Sequence, residues 1–513
     1  MARIRYAASL ALAASLGACM VGPDYKTPEP PPTNRYLPDE GTPLNLVSAG
    51  IPGGEAQRVV QNLDIPNQWW MVFQSQPLNG LIDRSLRANP DIKSAVAALK
   101  VSQQTARAQR ATLFPTVSVA GTAAQTQAPT VLSAPTADPN NFVFSLFTAL
   151  LNITYSVDVW GGTRRAIESA EAQAEAQCFL LEAAYLTLAS NVVVAAITEA
   201  SLRAQVQATQ RIIAAQRETL GILQGQAGLG AISGADVAAQ EAALAQAEAT
   251  LPPLQKALAQ QRNLLATLTG NLPSTALAET FQLNDLKLPA DLPISLPARL
   301  VEQRPDIRAA EANVHSASAL VGVSMAAQLP QINLSSAIGS QALTLGSLFS
   351  PAVGPAYSVV SGGILQPLLD GGALQAKKRA AQASLEQAQA QYESTVLLAF
   401  RNVADTLRAL EYDAQALKAT VTAEQASATS LNIARRRLDV GDTTYVVVLI
   451  AELTYQQALL ARIQAQANRL MDTAALFQAL GGGWWNRDQP TNPAQRMVCK
   501  APKPPQPVRT VSQ

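Results

Sequence analysis

The sequence predicts a mainly α-helical chain that also carries membrane-crossing β-strands, built as one helix–strand–strand–helix repeat used twice. Three observations carry this reading. A Pro-Asp-Ile segment occurs twice, as NPDIKSAVAALK from Asn89 and as RPDIRAAEANVH from Arg304, and in each copy a second proline follows after about 25 residues, at Pro115 and at Pro330. Between the prolines the pattern is helical, with proline in the first turn and aspartate behind it; beyond the second proline the period becomes two, in Thr116-Val117-Ser118-Val119 and in Gln331-Ile332-Asn333-Leu334. The third observation is at the N-terminus, where Arg3 and Arg5 precede an apolar run from Tyr6 to Ala18 that is too short to span a bilayer and suits a secretory leader.

Residues 1–18 thus read as a signal peptide, 19–76 as a lipid-anchored arm and equatorial segment, 77–270 as the first repeat, 271–297 as a linker, 298–483 as the second repeat and 484–513 as a Pro-rich tail. The leader ends in Leu16-Gly17-Ala18-Cys19, which resembles a bacterial lipobox and implies lipid on Cys19; Met20, where retained lipoproteins carry aspartate, implies the outer membrane. The arm is too rich in proline for a regular helix. Trp69, Trp70 and Phe73 read as aromatic packing against helices, and Leu78, Leu81, Ile82 and Leu86 as one face of an amphipathic helix.

Strands are expected at about 115–130, 141–159, 330–345 and 355–369. In a membrane, alternation gives each strand a wet face and a lipid face. Thr116, Ser118, Asn152, Thr154, Ser156, Gln331 and Asn333 are the lumen-lining candidates, and Val117, Val119, Ile153, Val157, Ile332 and Leu334 fall on the opposite face. Alternation weakens around Gly362-Gly363, where a bulge is expected. A soluble sandwich would alternate as well, so the leader and lipobox decide for a barrel. Four strands cannot close around a lumen, whereas three copies supply about twelve.

Helix lengths add a constraint. At 1.5 Å per residue the long helix after the strands measures ~96 Å in the first repeat, against ~38 Å and ~56 Å for the two shorter ones; the second repeat gives ~100 Å against ~36 Å and ~57 Å. Each repeat can therefore fold as one long helix beside two shorter helices stacked end to end, giving a helical tube that continues the barrel.

Composition narrows the remaining options. Lys and Arg total 38 against 37 Asp and Glu, which leaves no basic face for nucleic acid at the level of the chain. His315 stands on an Ala-rich helix with no metal or acid–base partner near it in sequence and is assigned to packing. Cys178 and Cys499 have no disulfide-framework spacing and are expected to be free. No nucleophile elbow, metal-ligand cluster or phosphate loop is present, so neither an enzyme nor a metal or organic cofactor is expected.

Several stretches in order resemble the TolC-like outer membrane factors, in particular the OprM and NodT branch of lipoproteins: ACMVGPDYKTP, WW with NPDI, RPDIRAAEA with QLPQINL, LLDGG, and ALGGGW at Ala479 to Trp484. The resemblance covers nearly the whole chain. It implies a homotrimer with a 12-stranded barrel in outer membrane lipid and an α-helical tunnel in the periplasm. It also implies a passive exit duct for drugs, toxic compounds or metal ions, working with a periplasmic adaptor and an inner-membrane transporter of the resistance-nodulation-division type. The alternatives are the same channel in type I protein secretion and, in another class, a periplasmic coiled-coil adaptor. In the family the far end of the tunnel closes through polar links between helical hairpins and through acidic rings. The matching candidates are Asp236 after the first turn and Arg437, Asp439 and Asp442 around the second, while Val447 and Ile450 stand where many relatives carry acids.

Overall fold

The computed structural model describes residues 20–33, 35–38, 44, 46–127, 143–275, 277–350 and 356–487. The leader, Cys19, Cys499 and residues 128–142 lie outside them. In chain order the elements are β1 (Arg58–Gln61), α1 (Gln76–Ala88), α2 (Pro90–Ala111), β2 (Thr116–Gln127), β3 (Val143–Val157), α3 (Gly162–Gly228) and α4 (Gly234–Leu268). There follow β4 (Asp291–Ile294), α5 (Pro297–Gln303), α6 (Pro305–Ala326), β5 (Gln331–Ala342), β6 (Ala356–Leu365), α7 (Ala373–Asp439) and α8 (Tyr445–Ala479). The chain divides into two compact units, one of residues 1–28, 100–176 and 310–392, the other of 29–99, 177–309 and 393–513.

The duplication extends to helix length. Helices α2 and α6 have 22 residues each, α3 and α7 have 67, and α4 and α8 have 35. A 67-residue helix is ~100 Å long, and the two shorter ones together reach ~86 Å, less than the equality expected from sequence. Part of the shortfall arises because α2 and α6 end before the strand-entry prolines, in the tight turns that follow Ala111 and Ala326. End-to-end stacking is nevertheless found in both repeats. Asn89 Nδ2 donates to the Leu268 carbonyl at 3.0 Å, and Arg304 Nη1 to the Ala479 carbonyl at 3.0 Å, so each junction gives a helix-terminal carbonyl the donor it lacks.

The first unit is built on an antiparallel sheet in the order β2-β3-β5-β6. The β5–β6 ladder runs without interruption from Gln331 opposite Leu365 to Ser340 opposite Ala356, so the bulge expected at Gly362-Gly363 is absent. The alternation weakens there for another reason: Gly362 stands opposite Leu334, and a Cβ on it would come within 3.3 Å of Leu334 Cδ2. Each sheet half enters its long helix through an aspartate. Asp158 accepts from the Thr163 and Arg164 amides at 3.0 Å each, and Asp370 from the Gly372 and Leu374 amides at 2.9 and 2.7 Å. The amides of Leu374 and Gly372 hold Asp370 below the usual carboxylate range. His315 packs on the Tyr25 ring as assigned, but it also has the acidic partner that its sequence neighbourhood lacks: Glu168 Oε1, from α3, lies 2.9 Å from its Nε2.

In the second unit the tryptophan segment is a 3₁₀ turn with Trp69, Trp70 and Phe73 buried, Trp69 stacked 5.5 Å from Phe477. Leu78, Leu81 and Ile82 of α1 are fully buried. The arm and the linker contribute strands that the sequence reading left as extended chain: β1 and β4 pair in parallel, Arg58 opposite Asp291. The linker is further fixed by buried Glu199, which accepts from Arg203, from Arg262 Nη1 at 3.0 Å and from the Phe281 amide at 3.3 Å, while Arg262 also holds the Leu277 carbonyl at 2.7 Å. Cys178 lies in a core cluster with Leu99, Phe179, Ala309 and Trp484. It is disulfide-bonded, which corrects the expectation of a free thiol. Spacing along a helix could not reveal that bond, because the fold decides which cysteine approaches.

One buried cluster links stability to pH. Asp472 is pushed up to about 8 by burial, aided by a hydrogen bond and charge from Asp413 and opposed by Arg469, whose own value burial lowers to about 10. A carboxyl raised in the folded chain is penalised once ionised, so its contribution is best below the unfolded value of 3.8 and is lost as pH rises through about 8. The thermal midpoint should fall between about pH 6 and about pH 9, and Asp472→Asn should shrink that fall. An unchanged fall in the variant would show that other groups cause it.

Candidate functional site: the strand wall and the hairpin turns

The four long strands contain no Asp, Glu, Lys or Arg, although charged residues make up 15% of the chain, so the sheet is free of the groups that hydrocarbon excludes. Pairing fixes which side chains share a face. Thr116 lies opposite Thr154, Ser118 opposite Asn152, Ser156 opposite Asn333 and Thr154 opposite Ser335, which puts Thr116, Ser118, Asn152, Thr154, Ser156, Gln331 and Asn333 on one side. Hydroxyls on that side meet across the strands, Thr116 with Thr154 at 2.6 Å and Ser335 with Ser361 at 2.7 Å. Val117, Val119, Ile153, Val157, Ile332 and Leu334 share the other side, where Val119 is 79% exposed and Ile364 74%. Further along, the same side mixes the polar Thr122, Thr126, Thr148 and Gln341 with the apolar Leu146, Leu150 and Phe144.

Among the described residues, both outer strands, β2 and β6, keep one edge unpaired. Such edges are not tolerated in hydrocarbon, so a sheet in this setting must close with strands from elsewhere. By length and hydropathy α3 and α8 could themselves cross a membrane. Their repeat partners α7 and α4 match them in length and fail that test, so the duplication argues that these helices are not membrane spans.

At the hairpin turns of the second unit both long helices end alike. Gly230 and Gly441 adopt φ of +74° and +73°, with the Ala231 amide bonded to the Gln226 carbonyl and the Asp442 amide to the Arg437 carbonyl, the left-handed cap that glycine favours. The four gate candidates do not converge. Asp236 forms a capping box with Ser233 at the start of α4; Arg437 Nε donates to Asp442 within its own turn at 2.8 Å; Asp439 is exposed at the end of α7. The hairpins instead meet through Tyr445, whose hydroxyl donates to Gln240 Oε1, while Gln240 Nε2 donates to the Gln216 carbonyl at 2.9 Å. Burial, then the charge of Glu452, pushes the Tyr445 hydroxyl well above its ordinary value and keeps it a donor. An apolar cluster of Leu223, Leu431, Ala434, Tyr445, Val448 and Ala451 surrounds this bond. Beside it is a cavity of about 360 Å³, whose wall includes the ion pairs Arg435–Glu452 and Arg462–Glu424, at 2.7 and 2.8 Å. Sequence reading missed Tyr445 and Gln240, and their only local signal was proximity to the glycine turns.

The family profile for outer membrane efflux protein matches residues 81–271 and 296–482, which are the two repeats. Toluene efflux pump outer membrane protein TtgC of Pseudomonas putida is 29% identical over 492 residues, covering 95% of this chain and 97% of the relative. Pyoverdine export outer membrane protein OpmQ of Pseudomonas putida is 30% identical over 458 residues, 88% of this chain and 95% of the relative. Among solved structures, the outer-membrane channel OprN superposes with a TM-score of 0.80 at 27% identity, covering 91% of this chain and all of that one. The outer membrane protein VceC of Vibrio cholerae gives 0.75 at 28% identity, over 82% of this chain and all of that one. Two matched repeats, a charge-free strand wall and paired helical hairpins agree with one another, and the chain belongs to the outer membrane efflux protein family, as an efflux channel of the outer membrane.

Proposed function

We propose that three copies of the chain form a closed twelve-stranded barrel, that lipid on Cys19 anchors each copy, and that the assembly is the passive exit duct of a tripartite pump. Its partners are a periplasmic adaptor and an inner-membrane transporter of the resistance-nodulation-division class. The observation that carries this reading is the charge-free four-stranded sheet with both edges open, because β6 of one copy and β2 of the next are antiparallel and supply each other's missing hydrogen bonds. Lipid at Cys19 is supported by its neighbour: Met20 packs at Gly161, where β3 gives way to α3, close to the foot of the strands. The uncharged hydroxyl and amide lining supports small organic cargo of either charge, in keeping with relatives named for toluene and pyoverdine. Selection of the cargo then lies with the transporter.

At the turns, Arg437 and Asp442 neutralise one another, which leaves Asp439 as the carboxylate that would link neighbouring copies when the duct is closed. Tyr445 and Gln240 hold the two hairpins of one copy together. In planar bilayers, Asp439→Ala/Asp442→Ala should conduct more per channel than the wild type; equal conductance would remove these aspartates from the gate.

The barrel reading has its own test. Arg at Ile153 should cost on the order of 2–4 kcal/mol if it faces lipid near the midplane, and much less at Thr154 on the wet side, measured by denaturant titration in micelles. Equal tolerance would mean the faces are reversed, and a monomeric mass in mild detergent would dismiss the shared barrel. Metabolic palmitate labelling should be lost in Cys19→Ser with assembly retained, and label that persisted in the variant would refute lipid at that residue.

A further inference from the structure

Within the second unit, the cavity of about 360 Å³ beside the hairpin seam is bordered by α3, α7 and α8, and two of its buried wall groups lack partners. Gln216 is 1% exposed and Glu452 4%, yet among the described residues neither side-chain amide atom of Gln216 nor Glu452 Oε2 meets a hydrogen-bonding group. Buried polar atoms are costly to leave unpaired, so this wall suits a polar occupant. A smaller cavity of about 140 Å³ shares Arg211, Leu459 and Arg462 with the first, and the two form one slot along α3 and α8.

Every arginine that lines the slot has a carboxylate except one. Arg435 pairs with Glu452 at 2.7 Å, Arg462 with Glu424 at 2.8 Å, and Arg203 with Glu199. Arg211 makes no ion pair among the described residues, and its Nε reaches only the Gln207 carbonyl one turn back, at 3.4 Å. One exposed guanidinium is therefore left for an anion. The other groups ask for more than an inorganic ion would bring. Glu452 Oε2 requires a donor, the Gln216 amide can both donate and accept, and Ile212, Leu431 and Leu459 add apolar surface to the same wall.

We propose that this slot binds a short zwitterionic peptide, with its carboxylate on Arg211, its ammonium at Glu452 Oε2, its peptide amide on Gln216 and an aliphatic side chain against Leu431 and Leu459. A free phosphate or sulfate would satisfy Arg211 alone and would face the two glutamates with no donor to offer them. The volume is in the range of small-molecule sites, and all of the groups belong to one copy of the chain. A seated peptide touches α3 of one hairpin and α7 and α8 of the other. It thus gives the buried wall its partners while the hairpins stay together, so occupancy favours the joined seam.

Ligand-observed NMR titration of the intact protein in detergent micelles tests this, with the dipeptide glycyl-leucine as the probe. A ligand of about 13 non-hydrogen atoms should bind saturably with a Kd of about 1 mM or tighter. Glycyl-leucine amide, which lacks the carboxylate, and N-acetylglycyl-leucine, which lacks the ammonium, should each bind about tenfold more weakly or worse, the loss of one charged hydrogen-bonded contact. Arg211→Gln should weaken glycyl-leucine by a similar factor, and since Arg211 is exposed and outside every ion pair, the variant keeps the fold. No saturable binding of glycyl-leucine to the wild type up to about 10 mM overturns the proposal. Equal affinity for the amidated or acetylated probe overturns it without any variant, and so does an Arg211→Gln protein that binds glycyl-leucine as the wild type does.

Discussion

The constraint on which the rest of the structure depends is the open hydrogen-bonding edge. A strand pair in hydrocarbon must satisfy every backbone amide and carbonyl within protein, and a sheet in the order β2-β3-β5-β6 leaves two edges unsatisfied. No strand among the described residues repairs this, since the two edges lie at opposite sides of a sheet too narrow to curl onto itself. Duplication makes the repair simple. Each repeat contributes one antiparallel pair, so the chain presents a first-repeat edge and a second-repeat edge of opposite direction, and in the proposed assembly joining copies would extend the sheet with a constant pattern. The absence of charge across all four strands is the matching side-chain condition.

The helices show how two diverged repeats meet one set of geometric requirements with different chemistry. The entry to the long helix is capped by Asp158 in one repeat and Asp370 in the other, the second within a pair of left-handed glycines. The stacked helix ends are bridged by a neutral amide at Asn89 and by a guanidinium at Arg304. Yet the hairpin turns keep both the glycine and the pair of crossed backbone bonds, because the left-handed conformation leaves few alternatives. The turns and the helix entries are thus met by the same residue types, glycine and an accepting aspartate, and the stacked ends by whichever side chain can donate.

That distinction also explains what could be read in the sequence. The repeat, the prolines that bracket α2 and α6, and the face assignments of Thr116 through Asn333 are local patterns, and period and spacing are enough to find them. Registers set by local alternation were legible; partners set by the fold were not. Cys178 looked free because its bond depends on approach in space, and His315 looked isolated because Glu168 is 147 residues away. The β1–β4 pair escaped notice because four residues, one of them Pro293, carry no periodic signal. At Gly362 the pattern itself misled, since an empty side-chain position weakens alternation as an inserted residue does. Among the gate candidates, Asp236 drew attention as an acid near a turn, but its neighbour Ser233 already marked it as a capping box.

The seam between the hairpins gives the turns a physical bias that charge counting misses. One side of it is dry, with Leu223, Leu431, Val448 and Ala451 around Tyr445, and its separation exposes apolar surface. The other side borders the cavity, where, among the described residues, neither amide atom of Gln216 nor Glu452 Oε2 meets a hydrogen-bonding group. Such groups gain water when the cavity widens, as do the part-buried ion pairs Arg435–Glu452 and Arg462–Glu424 beside them. Parting the hairpins is therefore opposed by the apolar cluster and by the Tyr445–Gln240 bond, and it is favoured by the polar wall. A seam balanced in this way can hold at rest and still yield to a modest gain in contact with a docked partner, without a continuous hydrophobic interface having to be broken at once.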